Sequence, residues 1–411
     1  MRFCMVTTFY PPYHFGGDAI FVQSLARALV SEGHHVEVVH CEDAYRLQQK
    51  ASLEKSETKD GIIVHRLHSS MRLLSPIITQ QTGQPGPKAP ELRAIFDREF
   101  EVVNFHNISL VGGPGILGMS KAAVNLYTLH EHWLLCPMHI FWKNNTKECD
   151  SPQCIRCCLR SGIPPQFWRY TGAIERSLAN VDAFLSPSQY TADRHKTLGQ
   201  TLPIHVLSTF SRLDPKLNNT ASASLQERRC FLYVGRVTAS KGIAILLKEF
   251  VSFSEYDLVV VGGGDLLLTL QRQYAKHRHI QFLGPLSQEQ ISPWYQKATA
   301  LVLPSLAPEV FPLTILEAFA HGTPAIVHHA GGSREAVDTT GGGVVYHTPE
   351  ELHDALTLLG NDFQLCKTLG QRARLGYEQW YSQKKYLERY LQLIQEIGKK
   401  KRFNLAGSTI L

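Results

Sequence analysis

Glu309-Val310-Phe311-Pro312-Leu313-Thr314-Ile315-Leu316-Glu317 decides how this chain is read. The stretch runs from a loop into a predicted helix. Pro312 suits the first helical turn, where its missing N–H costs nothing. The N–H groups of Leu313 and Thr314 then point out of the helix start, a ready site for a phosphate. Glu309 falls just before that start and Glu317 about one turn inside it. One carboxylate can therefore lie near a sugar and the other near a ribose, with the phosphates between them. Upstream, Gly235-Arg236-Val237-Thr238-Ala239-Ser240-Lys241-Gly242 offers two cations near another predicted strand-to-helix turn. Together these features describe a nucleotide-sugar pocket.

Outward from this stretch, strand-like runs alternate with helical patterns. Phe3–Thr7 is read as a first strand. A helix follows from near Gly17, with Val22, Leu25, Ala26, Leu29 and Val30 at helical spacing. Further strands are expected at 36–40, 62–65, 102–106, 124–129 and 183–186. The segment 69–90 carries Pro76, Pro85 and Pro87, and is read as a loop. The pattern then restarts, with strands at 231–234, 258–261, 280–283, 300–303 and 325–327. The polar stretch 214–224 lies before this restart, as a linker or an early loop. Alternating strands and helices imply parallel sheets covered by helices on both faces. The fold class is therefore α/β, with two Rossmann-like domains whose parallel sheets face a cleft. Ligands in such sheets bind beyond the carboxyl ends of the strands.

The chain has 411 residues, 44% hydrophobic and 19% charged, which describes an ordinary globular protein of two or three domains. A formal charge of +6 is only mildly basic, and the cations are not clustered as nucleic-acid binding requires. The densest run is Lys399-Lys400-Lys401-Arg402, read either as a solvated tail or as a contact with an anionic membrane surface. The apolar run at the N-terminus is too short for a signal-peptide core, and nothing approaches a membrane-spanning length. The expected location is cytoplasmic, peripheral at the inner face of the membrane if the basic tail makes that contact.

With Gly235-Arg236, Lys241-Gly242 and the paired glutamates in this order and separation, the sequence resembles retaining glycosyltransferases of the GT-B fold, specifically glycosyltransferase family 4 (group 1). The resemblance extends over most of the chain. It includes Pro11-Pro12, Gly16-Gly17-Asp18, His130-Glu131, Ser186-Pro187-Ser188, Val261-Gly262-Gly263-Gly264 and Gly331-Gly332-Ser333-Arg334-Glu335. It implies a GT-B architecture. Residues 1–205 would form an acceptor-side domain with a Cys-rich insertion at about 136–165. Residues 206–382 would bind the nucleotide sugar, and 383–411 would cross back to the first domain and end in the basic tail. It also implies transfer of a hexosyl group from a nucleotide-diphospho-sugar to a hydroxyl acceptor. A glycan or lipid-linked saccharide of surface polysaccharide synthesis fits that role.

The resemblance assigns roles residue by residue. Arg236 and Lys241 would stabilise the departing diphosphate, the charge of which grows as the sugar–phosphate bond breaks. Arg brings a planar fork and Lys a compact charge. Glu317 would bind the ribose hydroxyls and Glu309 would lie by the sugar. Phe311, Leu313 and Thr314 lie between the two glutamates; Leu313 and Thr314 would act through backbone N–H, and Phe311 would pack rather than touch the donor. Gly16 and Gly17 would close over the diphosphate, and Gly263 would border the nucleotide. His130 would contact the donor sugar, with His132 as a competitor for that place. Glu131 stands where the family often has Asp. No carboxylate nucleophile can be named, so the resemblance points to a front-face reaction in which the departing phosphate takes the acceptor proton. The alternatives are a non-catalytic nucleotide-sugar-binding subunit and a GT-B-fold nucleotide-sugar epimerase.

Five of the nine cysteines fall between 136 and 158. Cys154 and Cys157 have the spacing of a zinc or iron–sulfur half-site, which Cys136 and Cys149 could complete. Redox-labile or disulfide-bonded cysteines and free thiols are the other readings. No Asp-x-Asp motif occurs, so no metal is expected at the donor phosphates and no cofactor is required for catalysis.

Overall fold

The computed structural model describes residues 1–48, 60–144, 146–211 and 230–408, with backbone alone for 48 and 402–408. The expected linker at 214–224 lies outside the described residues. The chain divides into two compact units. The first comprises residues 1–139, 152–208 and 386–411, and the second 140–151 and 209–385.

Strands of the first unit are β1 (Arg2–Val6), β2 (His35–Cys41), β3 (Ile63–Leu67), β4 (Val102–Phe105) and β5 (Val124–Thr128). After a short hairpin of β6 (Trp142–Lys143) and β7 (Lys147–Glu148), which belongs to the second unit, come β8 (Ala183–Ser186) and β9 (Ile204–Val206). Seven of these strands form one sheet in the order β3-β2-β1-β4-β5-β8-β9. Every pair in it is parallel. The second unit has β10 (Cys230–Val234), β11 (Asp257–Val261), β12 (Ile280–Gly284), β13 (Ala298–Leu303), β14 (Ala325–His328) and β15 (Gly343–Tyr346). Its sheet is also all parallel, in the order β12-β11-β10-β13-β14-β15. Both orders are doubly wound, reversing direction beside the first strand of the unit.

Burial on both faces explains the strands' near-continuous apolar runs. In the second unit Phe231, Tyr233, Leu258, Val260, Ala300 and Val302 enter one core. Their chain neighbours Leu232, Val259, Val261, Leu301 and Leu303 enter another on the opposite face. This is the period-two alternation of a strand, filled with hydrophobic residues on both sides.

Two edge strands, β9 and β15, extend the sheets beyond the expected set. The segment 69–90 is not a loop. It contains a helix at Leu74–Thr82, a turn of 3-10 helix at Gly86–Lys88, and the start of a helix at Ala89–Phe96. Pro76 lies in the first turn of its helix, where proline is tolerated, and Gly83 ends that helix at φ 68°. The residues taken as loop signals are helix start and stop signals.

Candidate functional site

In each unit the residues singled out above gather at the carboxyl end of the sheet, where the strand order reverses. In the second unit that point lies between β10 and β13. The loop after β10 carries Arg236 and Lys241, and the loop after β13 carries Glu309. These residues, 68 positions apart in the chain, meet: Lys241 Nζ forms an ion pair with Glu309 Oε1. Ser305 Oγ donates to the same carboxylate oxygen at 2.6 Å. Arg236 adds a further positive field at Glu309. Burial by itself pushes the Glu309 carboxyl up, but the Lys241 charge and these hydrogen bonds outweigh it and hold the group below the usual carboxylate range.

Backbone contacts make this convergence specific. Gly242 has φ 67°, and a Cβ there would stand 1.8 Å from the carbonyl oxygen of Pro304. Only glycine lets the Lys241 turn close on the loop after β13. Gly331 has φ 78°, and a Cβ would meet the Glu309 backbone at 2.4 Å. The Gly332 N–H donates to the Glu309 carbonyl at 2.7 Å, tying Glu309 to the loop after β14. Gly263 accepts from the Val237 N–H at 2.8 Å, which seats the β11 turn beneath the Arg236 loop. Tyr233 Oη donates to the Arg236 carbonyl at 2.6 Å from below.

The helix expected near Glu317 is Leu313–Ala320. Pro312 does not open its first turn. It is the extended residue before the helix, with ψ 128°, and no side chain caps the helix. The N–H groups of Leu313 and Thr314 lie in that uncapped first turn. Phe311 is buried in the core against the Tyr381 ring, 5.5 Å between centroids, so its role is packing. Glu317 sits in the second turn and accepts from Tyr295 Oη at 2.6 Å. No cation offsets its burial, and its carboxyl is pushed up to about 7.

In the first unit the corresponding point lies between β1 and β4. Gly16 and Gly17 open the helix Gly17–Ser31, again without a side-chain cap, and Asp18 stands in its first turn. Asp18 accepts from Asn107 Nδ2 at 3.4 Å. His130, just past β5, meets His106, just past β4: His106 Nδ1 and His130 Nε2 share a hydrogen bond of 2.9 Å. Burial lowers His130 to about 4, partly opposed by Asp18, and lowers His106 well below its ordinary range. Both rings are neutral near pH 7, and one of them donates the shared proton. Sequence reasoning passed over His106. The available signal was its position one residue past a strand that neighbours the His130 strand. His132 is fully buried near the His195 ring, away from that exchange. Glu131 binds His139 Nδ1 at 2.7 Å and so braces the turn that follows.

The four expected thiolate ligands are not assembled. Cys136, Cys154 and Cys157 belong to the first unit and Cys149 to the second. Among the described residues no group of three or more His, Cys, Asp or Glu side chains is arranged to hold a metal ion. Cys136, Cys154 and Cys158 all lie near the buried Arg169 guanidinium, whose pKa burial lowers to about 10. Also among the described residues, no helix is long and apolar enough to cross a membrane.

Two doubly wound units, one with a cation–carboxylate cluster beside an uncapped helix start, match the GT-B architecture. Comparison with known proteins agrees. The model of the glycosyl transferases group 1 matches residues 217–376, and that of glycosyltransferase family 4 matches residues 15–211. The chain belongs to this glycosyltransferase family. It is 27% identical over 367 residues to an uncharacterized glycosyltransferase of Methanocaldococcus jannaschii, covering 82% of this chain and 83% of that one. Among solved structures, sucrose-phosphate synthase from Thermosynechococcus elongatus has a TM-score of 0.72 at 18% identity, over 97% of this chain and 99% of that one. The Anabaena protein HepE, in complex with UDP and glucose, has a TM-score of 0.67 at 14% identity, over 96% of this chain and 99% of that one. These two likenesses show the fold.

Proposed function

We propose that the protein is a retaining hexosyltransferase that moves a sugar from a nucleotide-diphospho-sugar to a hydroxyl of a glycan or lipid-linked saccharide. Synthesis of a surface polysaccharide is the setting this reading fits. The observation that carries it is the Lys241–Glu309 pair, with Arg236 beside it, at the topological switch point of the second unit. A diphosphate entering there competes with Glu309 for Lys241. The ammonium then faces an anion whose charge grows as the sugar leaves, so its contribution is larger in the transition state than before it. Glu309, released from Lys241, is an acceptor for sugar hydroxyls. The first-turn N–H groups of Leu313 and Thr314 and the start of the Gly17–Ser31 helix favour phosphate, and Glu317 takes the ribose.

His130 is neutral and acts as a positioned hydrogen-bonding group toward the donor sugar. The reading names no carboxylate as a glycosidase-type nucleophile and follows the family resemblance instead. The reading is therefore front-face attack, with the departing phosphate accepting the acceptor's proton. Catalysis needs no metal or cofactor in this scheme. The exposed Lys399 and Lys400, with Lys401 and Arg402, bring the cytoplasmic protein to an anionic membrane.

Nucleotide release from a panel of uridine, guanosine and adenosine diphospho-sugars tests the donor chemistry. One donor is consumed by the wild type, and Lys241→Ala stops this while the protein stays folded. Binding of a donor without turnover by the wild type, acceptor present, points to the non-catalytic subunit. A product of inverted anomeric configuration, read by NMR, ends the retaining scheme.

A further inference from the structure

The Leu74–Thr82 helix in the first unit is folded inside out. Its polar residues Ser75 and Thr79 are fully buried, where both hydroxyls accept from the buried ammonium of Lys88, at 3.0 and 2.8 Å. Leu74 and Ile77 face outward, while Pro76 is buried and Ile78 half-buried. Leu74 is 56% exposed, and Leu73 and Ile77 are exposed on the same side. A surface helix ordinarily shows the reverse arrangement. Leu73 and Leu74 are not loose loop residues, because the Lys88 bonds fix which face of the helix points in.

A second apolar segment is fastened beside it. Trp168 Nε1 donates to the Gln80 carbonyl at 2.9 Å, and Gln80 Nε2 donates to the Pro164 carbonyl at 2.9 Å. The Trp168 indole lies flush on Gly83, where a Cβ would come within 2.9 Å of the ring. In this segment Leu159, Phe167 and Tyr170 are each 63% exposed. The helix Cys154–Arg160 borders a groove of about 660 Å³, lined by Pro152, Ile155, Leu159 and Tyr170 together with Arg156 and Arg160. Large apolar side chains left in water over a contiguous face mark an interaction surface.

The charges say which kind. Residues 61–90 and 151–174 contain no Asp or Glu, yet Arg72, Arg156 and Arg160 stand exposed among the apolar side chains. We propose that this face of the first unit docks on an anionic lipid bilayer. Leu74, Ile77, Leu159 and Phe167 would enter the headgroup–acyl boundary while the arginines pair with lipid phosphates, and Tyr170 would sit at the interface. Apolar area and unopposed cations on one face are the two attractions that interfacial binding combines. The surface is distinct from the basic run at 399–402 and from every residue assigned to the donor.

Flotation with vesicles tests this, using phosphatidylglycerol mixed with phosphatidylcholine against phosphatidylcholine alone. The full-length protein floats with the anionic vesicles, and Leu74→Glu/Phe167→Glu lowers the bound fraction at least about tenfold. Arg156→Gln/Arg160→Gln weakens binding and flattens its salt dependence. Leu268→Glu/Leu375→Glu, at exposed apolar positions of the second unit, leaves it unchanged. If the glutamate pair disturbs thermal melting, Leu159→Ser/Tyr170→Ser replaces it. The proposal is overturned if the wild type fails to float, if the Leu74/Phe167 variant floats like wild type, or if only Lys399→Gln/Lys400→Gln abolishes binding. Donor-dependent nucleotide release by the Leu74/Phe167 variant stays at the wild-type level, so failure of the docking surface and failure of the transferase reading are separately visible.

Discussion

The two units place their functional groups at the same point of the same kind of sheet, yet treat charge in opposite ways. At the switch point of the first unit, burial outweighs the opposing charge of Asp18, and the His106–His130 pair is held neutral. At that of the second, Lys241, Arg236 and Ser305 surround Glu309 and hold it ionised. Desolvation acts in both places. What differs is whether an opposite charge stands within a few ångströms to offset it. The contrast recurs within the second unit, between Glu309 with its lysine and Glu317 with only a tyrosine.

The largest effect should come from removing the compensating charge. Lys241→Ala is expected to lower kcat by roughly 10²–10³, the scale for losing one group that stabilises developing negative charge. Steady-state nucleotide release checks this, with a thermal melt to show that the fold survives. A loss confined to KM would place Lys241 outside the transition state and break the comparison.

The two carboxylates should give stability opposite pH dependences. Glu317 is raised from 4.5 to about 7, so the folded state holds its proton more tightly than the unfolded state does. Its contribution is full below about 4.5 and is lost as pH rises to about 7, on the order of 3 kcal/mol across that window. Glu317→Gln removes this slope and raises stability at pH 8. Glu309 is lowered, so its contribution is full above its unfolded value of 4.5 and is lost as pH falls through the lower folded one. Denaturant titrations of wild type, Glu317→Gln and Glu309→Gln at pH 4, 6 and 8 separate the two. Parallel slopes in all three proteins would refute the assignment.

The smallest effect concerns the neutral pair. His106→Phe keeps the ring volume but removes the bond to His130, and is expected to lower kcat about tenfold through misplacement of His130. His106→Asn, which can still hydrogen-bond, should recover part of the loss. If both variants match wild type while His130→Ala does not, His106 is only a core residue.

Much of the fold was legible because period-two apolar runs and helical spacings survive in the sequence. The Glu309–Glu317 stretch was legible because its two carboxylates and its proline are local. The Leu74–Thr82 helix was misread for a local reason of another kind. Pro76 and Gly83 serve equally as loop residues and as helix boundaries, and here the buried Lys88 ammonium selects the helix by binding Ser75 and Thr79 on its inner face.

The sequence alone determined two parallel α/β sheets, most of their strands and the chemical types at the site, since these follow from neighbours a few residues apart. Tertiary structure decided which groups meet. Lys241 reaches Glu309 across 68 residues and His106 reaches His130 across 24, because β10 lies beside β13 and β4 beside β5. Of the four cysteines, close in sequence, Cys149 falls in the second unit and the other three in the first. Strand order converts distance along the chain into adjacency at the sheet's end, and that order is settled by packing the whole sheet rather than by any one stretch of it.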